Sequence, residues 1–167
     1  SGGEGGVGED FSGPAIAHAV GQTLLGGVVA GEVTNSGTVF ADAVANSDAS
    51  LLMSSNDGLF GSVGVGYAEA DASGMTLLSE PLLGGVHNAA GGVIRAEAAA
   101  SAVGEAVATH SGANEAFLEV FGERGGADAR ATGLQVHGGT PFYFGEGNLL
   151  GNLHNEGIVS AVASAES

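Results

Sequence analysis

The sequence predicts an all-β protein, a parallel β-solenoid or β-helix whose repeats are about 53 to 67 residues long. Three observations predict it: runs in which alanine alternates with other residues, an asparagine that follows each run, and a second alternating run after that asparagine. Self-similarity at such a period is typical of stacked repeats, because each repeat buries its apolar face against its neighbours. The first runs are Ala15–Gly21, Ala68–Gly74 and Ala127–Gly133, and the repeated turn positions are Asn35, Gly37, Asn88, Gly92, Asn155 and Gly157.

Alternation marks the individual strands, since successive side chains of a strand point to opposite faces. Glycines and Asn-x-Gly sequences separate the strands, and we expect positive φ at these turns. The segment 96–108 is rich in Ala and Glu, which favour a helix. Gly104 interrupts it, and its repeat equivalents contain Thr, Val and Phe, so we predict a strand there too. The predicted strands cover 14–20, 28–34, 38–45, 59–72, 92–100, 103–109, 116–121, 127–136, 141–144 and 157–165.

An antiparallel β-sandwich made of hairpins is the alternative fold. Turn sequences suited to hairpins are present, but a sandwich does not explain why the same residue pattern recurs after 53 residues. A sandwich also needs larger side chains to fill about 10 Å between its sheets, whereas only 5% of this chain is aromatic. We therefore expect one solenoid domain over 14–167 and a flexible, glycine-rich segment over 1–13.

The charge of the chain excludes several classes of partner. Nineteen acidic residues stand against three arginines and no lysine, which gives a formal net charge of −16. Such a chain lacks the basic surface that nucleic acid or anionic lipid requires, so we expect no nucleic-acid binding. No segment is long and apolar enough for a membrane span, and we expect no membrane insertion. The chain has no cysteine, which excludes disulfides.

Three short segments and the alternating alanine runs resemble the repeats of large alphaproteobacterial surface proteins of the autotransporter type. The segments are Asn35-Ser-Gly-Thr-Val, Asn155-Glu-Gly-Ile-Val and Ala131-Thr-Gly-Leu-Gln135. Those proteins are regarded as parallel β-helical passengers that are carried to the cell surface. The resemblance implies an extracellular or cell-surface location and a structural or adhesive role, and it brings no catalytic residue to this chain.

Two sequence features could bind a metal ion, but we expect specific metal binding at neither. His87 and His154 occupy equivalent positions before the repeated asparagines. If they lie more than one repeat apart, roughly 10 Å or more separates them, which is too far for a shared Zn²⁺. We therefore expect a turn or ladder role for both. Residues 5–10, Gly-Gly-Val-Gly-Glu-Asp, match the opening of a calcium-binding nonapeptide, but no second copy follows. Loose calcium binding at scattered acids is the alternative.

We expect no enzymatic activity. A lyase that acts on acidic sugars needs a cation beside the substrate carboxylate, and the chain offers only three arginines. A glycoside hydrolase needs paired carboxylates in a cleft, commonly with aromatic side chains that stack on the sugar. Aromatic residues are scarce, and no GxSxG motif of a serine hydrolase is present.

The expected function is self-association through strand edges into an extracellular filament or surface layer, with further copies of the chain as partners. The third repeat stops within an alternating run, which predicts unpaired edge groups that another copy can extend. The alternatives are an adhesin segment that holds glycan or another surface through the loop 140–147, and an inert stalk. The candidate self-association residues are Phe117, Phe121, Phe142, Tyr143, Phe144, Ser164 and Ala165.

Overall fold

A computed structural model describes residues 6–26, 29–55, 59–79, 83–110, 116–122, 126–138 and 152–167. The regular secondary structure of these residues is all β-strand, and they include no helix that is long and apolar enough to cross a membrane. We refer to β1–β4, β5–β8 and β9–β12 as the first, second and third repeats. The strands are β1 (Gly6–Phe11), β2 (Ala15–Gly26), β3 (Val33–Asn35), β4 (Thr38–Ser55), β5 (Leu59–Val65), β6 (Ala68–Ser79), β7 (Val86–Asn88), β8 (Val93–His110), β9 (Ala116–Gly122), β10 (Ala127–Gly138), β11 (Leu153–Asn155) and β12 (Ile158–Glu166).

The described strands form four parallel sheets, and each repeat contributes one strand to every sheet. The strand orders are β1-β5-β9, β2-β6-β10, β3-β7-β11 and β4-β8-β12. The predicted all-β fold with parallel strands is confirmed, and parallel pairing throughout the described strands excludes the antiparallel sandwich. The second repeat is paired on both sides. The outer sides of β1–β4 and of β9–β12, here the first-repeat edge and the third-repeat edge, have no partner strand among the described residues.

Repeat-equivalent residues lie side by side on neighbouring strands. Ala68 is in register with Ala15 on one side and with Ala127 on the other, and the following alanines of these runs continue the pattern. Neighbouring strands are about 4.8 Å apart, so each equivalent position forms a ladder of like residues. The repeat in the sequence therefore corresponds to in-register stacking of the strands.

Alanine ladders form the main core. Buried alanines of β4, β6 and β8 pack in one cluster with Val63 and Val65 of β5. An alanine extends only one methyl group beyond the backbone, so this core is built mainly from small side chains. A second, smaller cluster contains Met75, Leu77, Val86 and Ile94. The buried alanines are Ala41, Ala43, Ala45, Ala49, Ala68, Ala70, Ala72, Ala96, Ala98, Ala100 and Ala102.

The inward face of β6 changes phase at Gly74. Ala70 and Ala72 are buried before this glycine, and Met75 and Leu77 are buried after it. The register of β6 with its neighbours skips Gly74. A Cβ built there would lie 2.6 Å from a carbonyl oxygen of the third repeat, so only glycine fits. Gly74 thus lets one strand serve both clusters.

The strand bounds differ from the prediction in several places. The predicted strand 59–72 is two strands, β5 and β6. The predicted strands 92–100 and 103–109 are one strand, β8, because the alternation of burial continues through Ser101 and Ala102 between them. The predicted strand 28–34 gives way to the short β3, and 141–144 lies outside the described residues.

Flexibility over 1–13 stays a prediction, and the structure adds a strand within this segment. Residues 6–11 form β1 and pair in parallel with β5. Side chains connect this strand and the residue after it to β4, since Asp10 accepts a 2.9 Å hydrogen bond from the backbone N–H of Ser50 and Ser12 Oγ lies 2.9 Å from Ser47 Oγ. A glycine-rich composition indicates freedom of the isolated chain, but backbone pairing to a neighbouring strand needs no side chains.

Candidate functional site

A ladder of asparagine side chains connects the three repeats at the third sheet. Asn35 donates from Nδ2 to Oδ1 of Asn88 over 2.8 Å, and Asn88 donates in turn to Oδ1 of Asn155 over 2.7 Å. Asn88 is 2% exposed, and its Nδ2 lies 3.3 Å from the carbonyl oxygens of Gly92 and Ile158. The ladder has a direction, because each amide donates toward the third repeat. Asn155 ends the row at the third-repeat edge.

The glycines that follow these asparagines permit close backbone approach. A Cβ built on Gly92 would lie 2.5 Å from the carbonyl oxygen of Asn35, and one built on Gly157 would lie 2.5 Å from that of Ala89. Both oxygens belong to the preceding repeat. The expected positive φ at these turns was wrong, since among the described glycines a positive φ occurs at Gly126. Crowding by the preceding repeat, and not a left-handed backbone, excludes a side chain here.

Three glycines of the first repeat lack such crowding, although their second-repeat equivalents have it. A Cβ on Gly13, Gly31 or Gly37 would meet no atom within 4 Å among the described residues. Their second-repeat equivalents are crowded: a Cβ on Gly66 would lie 2.5 Å from the Gly13 carbonyl oxygen, and one on Gly84 would collide with the Gly31 carbonyl. The first-repeat edge thus has glycine at positions where a side chain would clash only if another repeat packed closely before it.

Strand β12 forms the third-repeat edge of the fourth sheet and is exposed along nearly its whole length. Ser164 and Ala165, both predicted for self-association, lie in this strand and are exposed. Ala165 is in register with Ala100 of the second repeat, which is buried. Ala165 therefore occupies a core position that the described residues leave uncovered.

The aromatic candidates for self-association are only partly described. Phe117 lies on β9 in register with Phe60 of β5, and both side chains are 57% exposed. Phe121 lies near the end of the same strand. The other candidates, Phe142, Tyr143 and Phe144, lie outside the described residues. The loop 140–147, which a glycan-binding role would use, lies outside them too.

The N-terminal segment covers one part of the first-repeat edge. The carboxylate of Asp10 accepts the backbone N–H of Ser50, on the outer side of β4. Strand β12 is in register with residues 93–101 of β8, which are in register with residues 38–46 of β4. A further strand with the length and register of β12 would pair with 38–46 and end before it reached Ser50.

A cluster of histidines and glutamates lies beside the third sheet. His87 and His154 are in register on β7 and β11, with ring centroids 5.1 Å apart, so they are adjacent and not 10 Å apart. Glu156 lies between them: its Oε1 is 3.0 Å from His154 Nε2, and its Oε2 is 3.6 Å from His87 Nε2. Glu32 of the first repeat lies 3.1 Å from His87 Nδ1. One donor atom from each of His87, His154 and Glu156 falls within 4.8 Å of the other two.

The electrostatics of this cluster favour the ionised carboxylate. The hydrogen bond from His154, followed by its positive charge, lowers the pKa of Glu156, and His87 adds a smaller effect in the same direction, while desolvation opposes it. His87 Nε2 is buried and has no hydrogen-bond partner among the described residues, because 3.6 Å to Glu156 is too long for a hydrogen bond.

Ion pairs on the outer faces neutralise few of the acids. Arg130 contacts Asp128 and lies 3.4 Å from Glu69 and 3.9 Å from Asp71. Arg95 pairs with a neighbouring glutamate. Such exposed pairs add little stability, and the surface stays strongly negative at a net charge of −16.

Sequence reasoning missed Glu32 and Glu156 as partners of the histidines. A signal for Glu156 exists, since the spacing His154-x-Glu156 places both side chains on one face of an extended chain. Glu32 offers no comparable signal, because it reaches His87 only through the register of the first and second repeats.

No family model, curated protein or solved structure shows significant similarity to this chain. The resemblance to autotransporter-type repeats rests on short sequence segments alone.

Proposed function

We propose that this protein is an extracellular or cell-surface structural protein that assembles end to end into a filament or surface layer. Its three repeats are coils of a parallel β-solenoid, and the third-repeat edge of one copy pairs with the first-repeat edge of the next. The observation that carries the proposal is the set of glycines Gly13, Gly31 and Gly37. A Cβ on each of them would meet nothing within 4 Å in the described part of the chain, whereas one on each second-repeat equivalent would meet the backbone of the preceding repeat.

The unpaired strands supply the hydrogen bonds for such a junction. A free strand edge presents rows of N–H and C=O groups that template another parallel strand. In the register found within the chain, β12 of one copy pairs with residues 38–46 of the next. The asparagine ladder continues in the same way, with Asn155 donating to Asn35 of the neighbouring copy.

The alanines of β12 supply the apolar contact. Ala161, Ala163 and Ala165 are exposed, although their second-repeat equivalents are buried. A further repeat stacked on β12 converts these positions into core and removes their methyl groups from water. The third-repeat edge thus exposes the same alanine pattern that is buried in the second repeat.

Charge and sequence resemblance bear on where and when assembly occurs. Copies that each carry −16 repel one another, and salt or divalent cations weaken this repulsion. Assembly is therefore expected to strengthen with ionic strength. The extracellular or cell-surface location is supported by the resemblance to autotransporter-type repeats.

The test is negative-stain electron microscopy and sedimentation velocity on the wild-type chain and on the double variant Gly31→Ala/Gly37→Ala, in high salt with millimolar calcium. The wild type is expected to form regular filaments or sheets. The double variant is expected to keep the wild-type melting temperature, because both added methyl groups point into open space, and to remain dispersed.

The matched control is Gly84→Ala/Gly92→Ala, whose methyl groups collide within the chain and so lower the melting temperature of the isolated molecule. Wild-type chains that stay single in all conditions contradict the proposal and favour a spacer or an adhesin segment. Assembly of Gly31→Ala/Gly37→Ala at the wild-type level contradicts the proposed junction.

A further inference from the structure

We propose that His87, His154 and Glu156 form a binding site for a divalent transition-metal ion of the Zn²⁺ type, with Glu32 orienting His87 from behind. The site joins all three repeats, since Glu32 precedes β3, His87 lies in β7, and His154 and Glu156 belong to the third repeat. It is independent of the proposed assembly, because its four residues belong to a single chain.

The donor atoms already lie close to the spacing that a tetrahedral ion requires. Zn²⁺ bonds of about 2.0–2.1 Å to nitrogen and oxygen place two ligand atoms roughly 3.3 Å apart. Glu156 lies 3.0 Å from His154 Nε2 through Oε1 and 3.6 Å from His87 Nε2 through Oε2, so each histidine is near that distance from one oxygen of the carboxylate. One donor atom of each residue lies within 4.8 Å of the others, so side-chain rotations alone can close the site.

The hydrogen bonding of His87 favours metal ligation through Nε2. Glu32 Oε1 lies 3.1 Å from Nδ1, so it can accept the Nδ1–H of the tautomer whose Nε2 is free to ligate a metal. A carboxylate behind a ligating imidazole is the usual second partner in zinc sites. Nε2 of His87 is buried and has no hydrogen-bond partner in the described chain. A bound cation supplies the partner that this atom lacks.

The donor set selects the kind of ion. Two imidazole nitrogens and one carboxylate suit Zn²⁺ and neighbouring first-row ions, whereas Ca²⁺ and Mg²⁺ prefer six or more oxygen ligands. His154 and Glu156 are exposed, so water completes the coordination. Scattered surface acids bind cations without this preference, which separates the site from loose calcium binding.

The experiment is isothermal titration calorimetry of the full chain with Zn²⁺ at neutral pH and low salt, in excess Ca²⁺ to occupy scattered acids. Wild-type chain is expected to bind one Zn²⁺ and to melt at a higher temperature with the metal than without it. His154→Ala is expected to lose this binding, and Glu32→Gln to weaken it about tenfold or more, as loss of a second partner does. Co²⁺ in place of Zn²⁺ reports the coordination by its visible absorption.

The matched control is His18→Ala, which removes an exposed histidine on β2 that pairs with Asp71 and lies outside the cluster. It is expected to bind Zn²⁺ as the wild type does. Absence of calcium-resistant Zn²⁺ binding in the wild type contradicts the proposal. Equal binding by wild type and His154→Ala contradicts it too, and circular dichroism checks that each variant is folded.

Discussion

Replacing Asn88 with alanine removes the middle amide of the ladder that joins the three repeats. The change deletes the acceptor for Asn35 Nδ2 at 2.8 Å and the donor to Asn155 Oδ1 at 2.7 Å. It also deletes two longer contacts, at 3.3 Å, to backbone carbonyl oxygens of the second and third repeats. Asn88 is 2% exposed, so water does not replace these interactions.

The magnitude follows from these contacts. Each short hydrogen bond contributes a net of about 0.5–1.5 kcal/mol, and the small void left by the amide adds to the loss. Asn88→Ala is therefore expected to lower the free energy of unfolding by about 2–3 kcal/mol. Asn35→Ala leaves a buried acceptor without its donor and costs about 1–2 kcal/mol. Asn155→Ala leaves the Asn88 amide its two backbone partners and costs about 0.5 kcal/mol.

The assay is urea unfolding followed by far-ultraviolet circular dichroism, at low salt and low protein concentration. Asn88→Asp is the isosteric control: its carboxylate still accepts from Asn35 but faces oxygen atoms where the amide donated. Burial among acceptors raises the pKa of such a carboxyl group, so the stability lost in this variant is largest at high pH and shrinks as the pH falls. A loss for Asn88→Ala no larger than that for Asn155→Ala would refute this account of the ladder.

Two further substitutions test the packing. Ala98→Leu inserts a large side chain into the alanine core, where Ala98 is 3% exposed, and is expected to destabilise the fold by about 1–3 kcal/mol or more. Ala99→Leu, at the half-buried neighbouring position, is the control. Equal urea midpoints for the two variants would contradict tight packing of the alanine core. Gly74→Ala places a Cβ 2.6 Å from a backbone carbonyl oxygen of the third repeat, whereas the Cβ of Gly26→Ala meets, among the described residues, only a side-chain carbon of Val29 at 3.5 Å. The melting temperature is expected to fall in Gly74→Ala and to stay near the wild-type value in Gly26→Ala, and the reverse order would show that the backbone at Gly74 is not crowded.

The strands and their parallel order could be predicted because the core is made of alanine ladders. Residues such as Ala70 and Ala98 recur at equivalent positions, and the period of two in each run shows which side faces inward. Strand β1 could not be predicted from composition, because its glycines stabilise nothing by themselves and become ordered only against β5. Asp10 and Ser12 then hold this strand against β4 through side-chain hydrogen bonds to residues that are far away in the sequence.

The histidine cluster shows a different limit of sequence reasoning. The sequence shows that His87 and His154 are repeat equivalents, but it does not show how close their rings lie. The asparagines that follow them, Asn88 and Asn155, are 67 residues apart. Only the register of β7 with β11 brings the rings to 5.1 Å. Glu32 joins the cluster through yet another repeat, so no local pattern marks it.

End-to-end stacking in a fixed register is tested most directly by disulfide trapping between copies, since the chain has no cysteine of its own. Ser164 and Val44 are both in register with Ala99, on strands at opposite edges. In a stacked pair, Ser164 of one copy is expected to lie about 4.8 Å from Val44 of the next, within the range of about 4.4–6.8 Å that a disulfide spans.

The measurement mixes Ser164→Cys chains with Val44→Cys chains under mild oxidation in high salt, and compares them with Ile158→Cys mixed with Val44→Cys. Ile158 lies six residues before Ser164 on β12, roughly 20 Å away along the strand. The account predicts a disulfide-linked heterodimer in the first mixture and little in the second. Equal yields from both mixtures, or no heterodimer from the first, would contradict it.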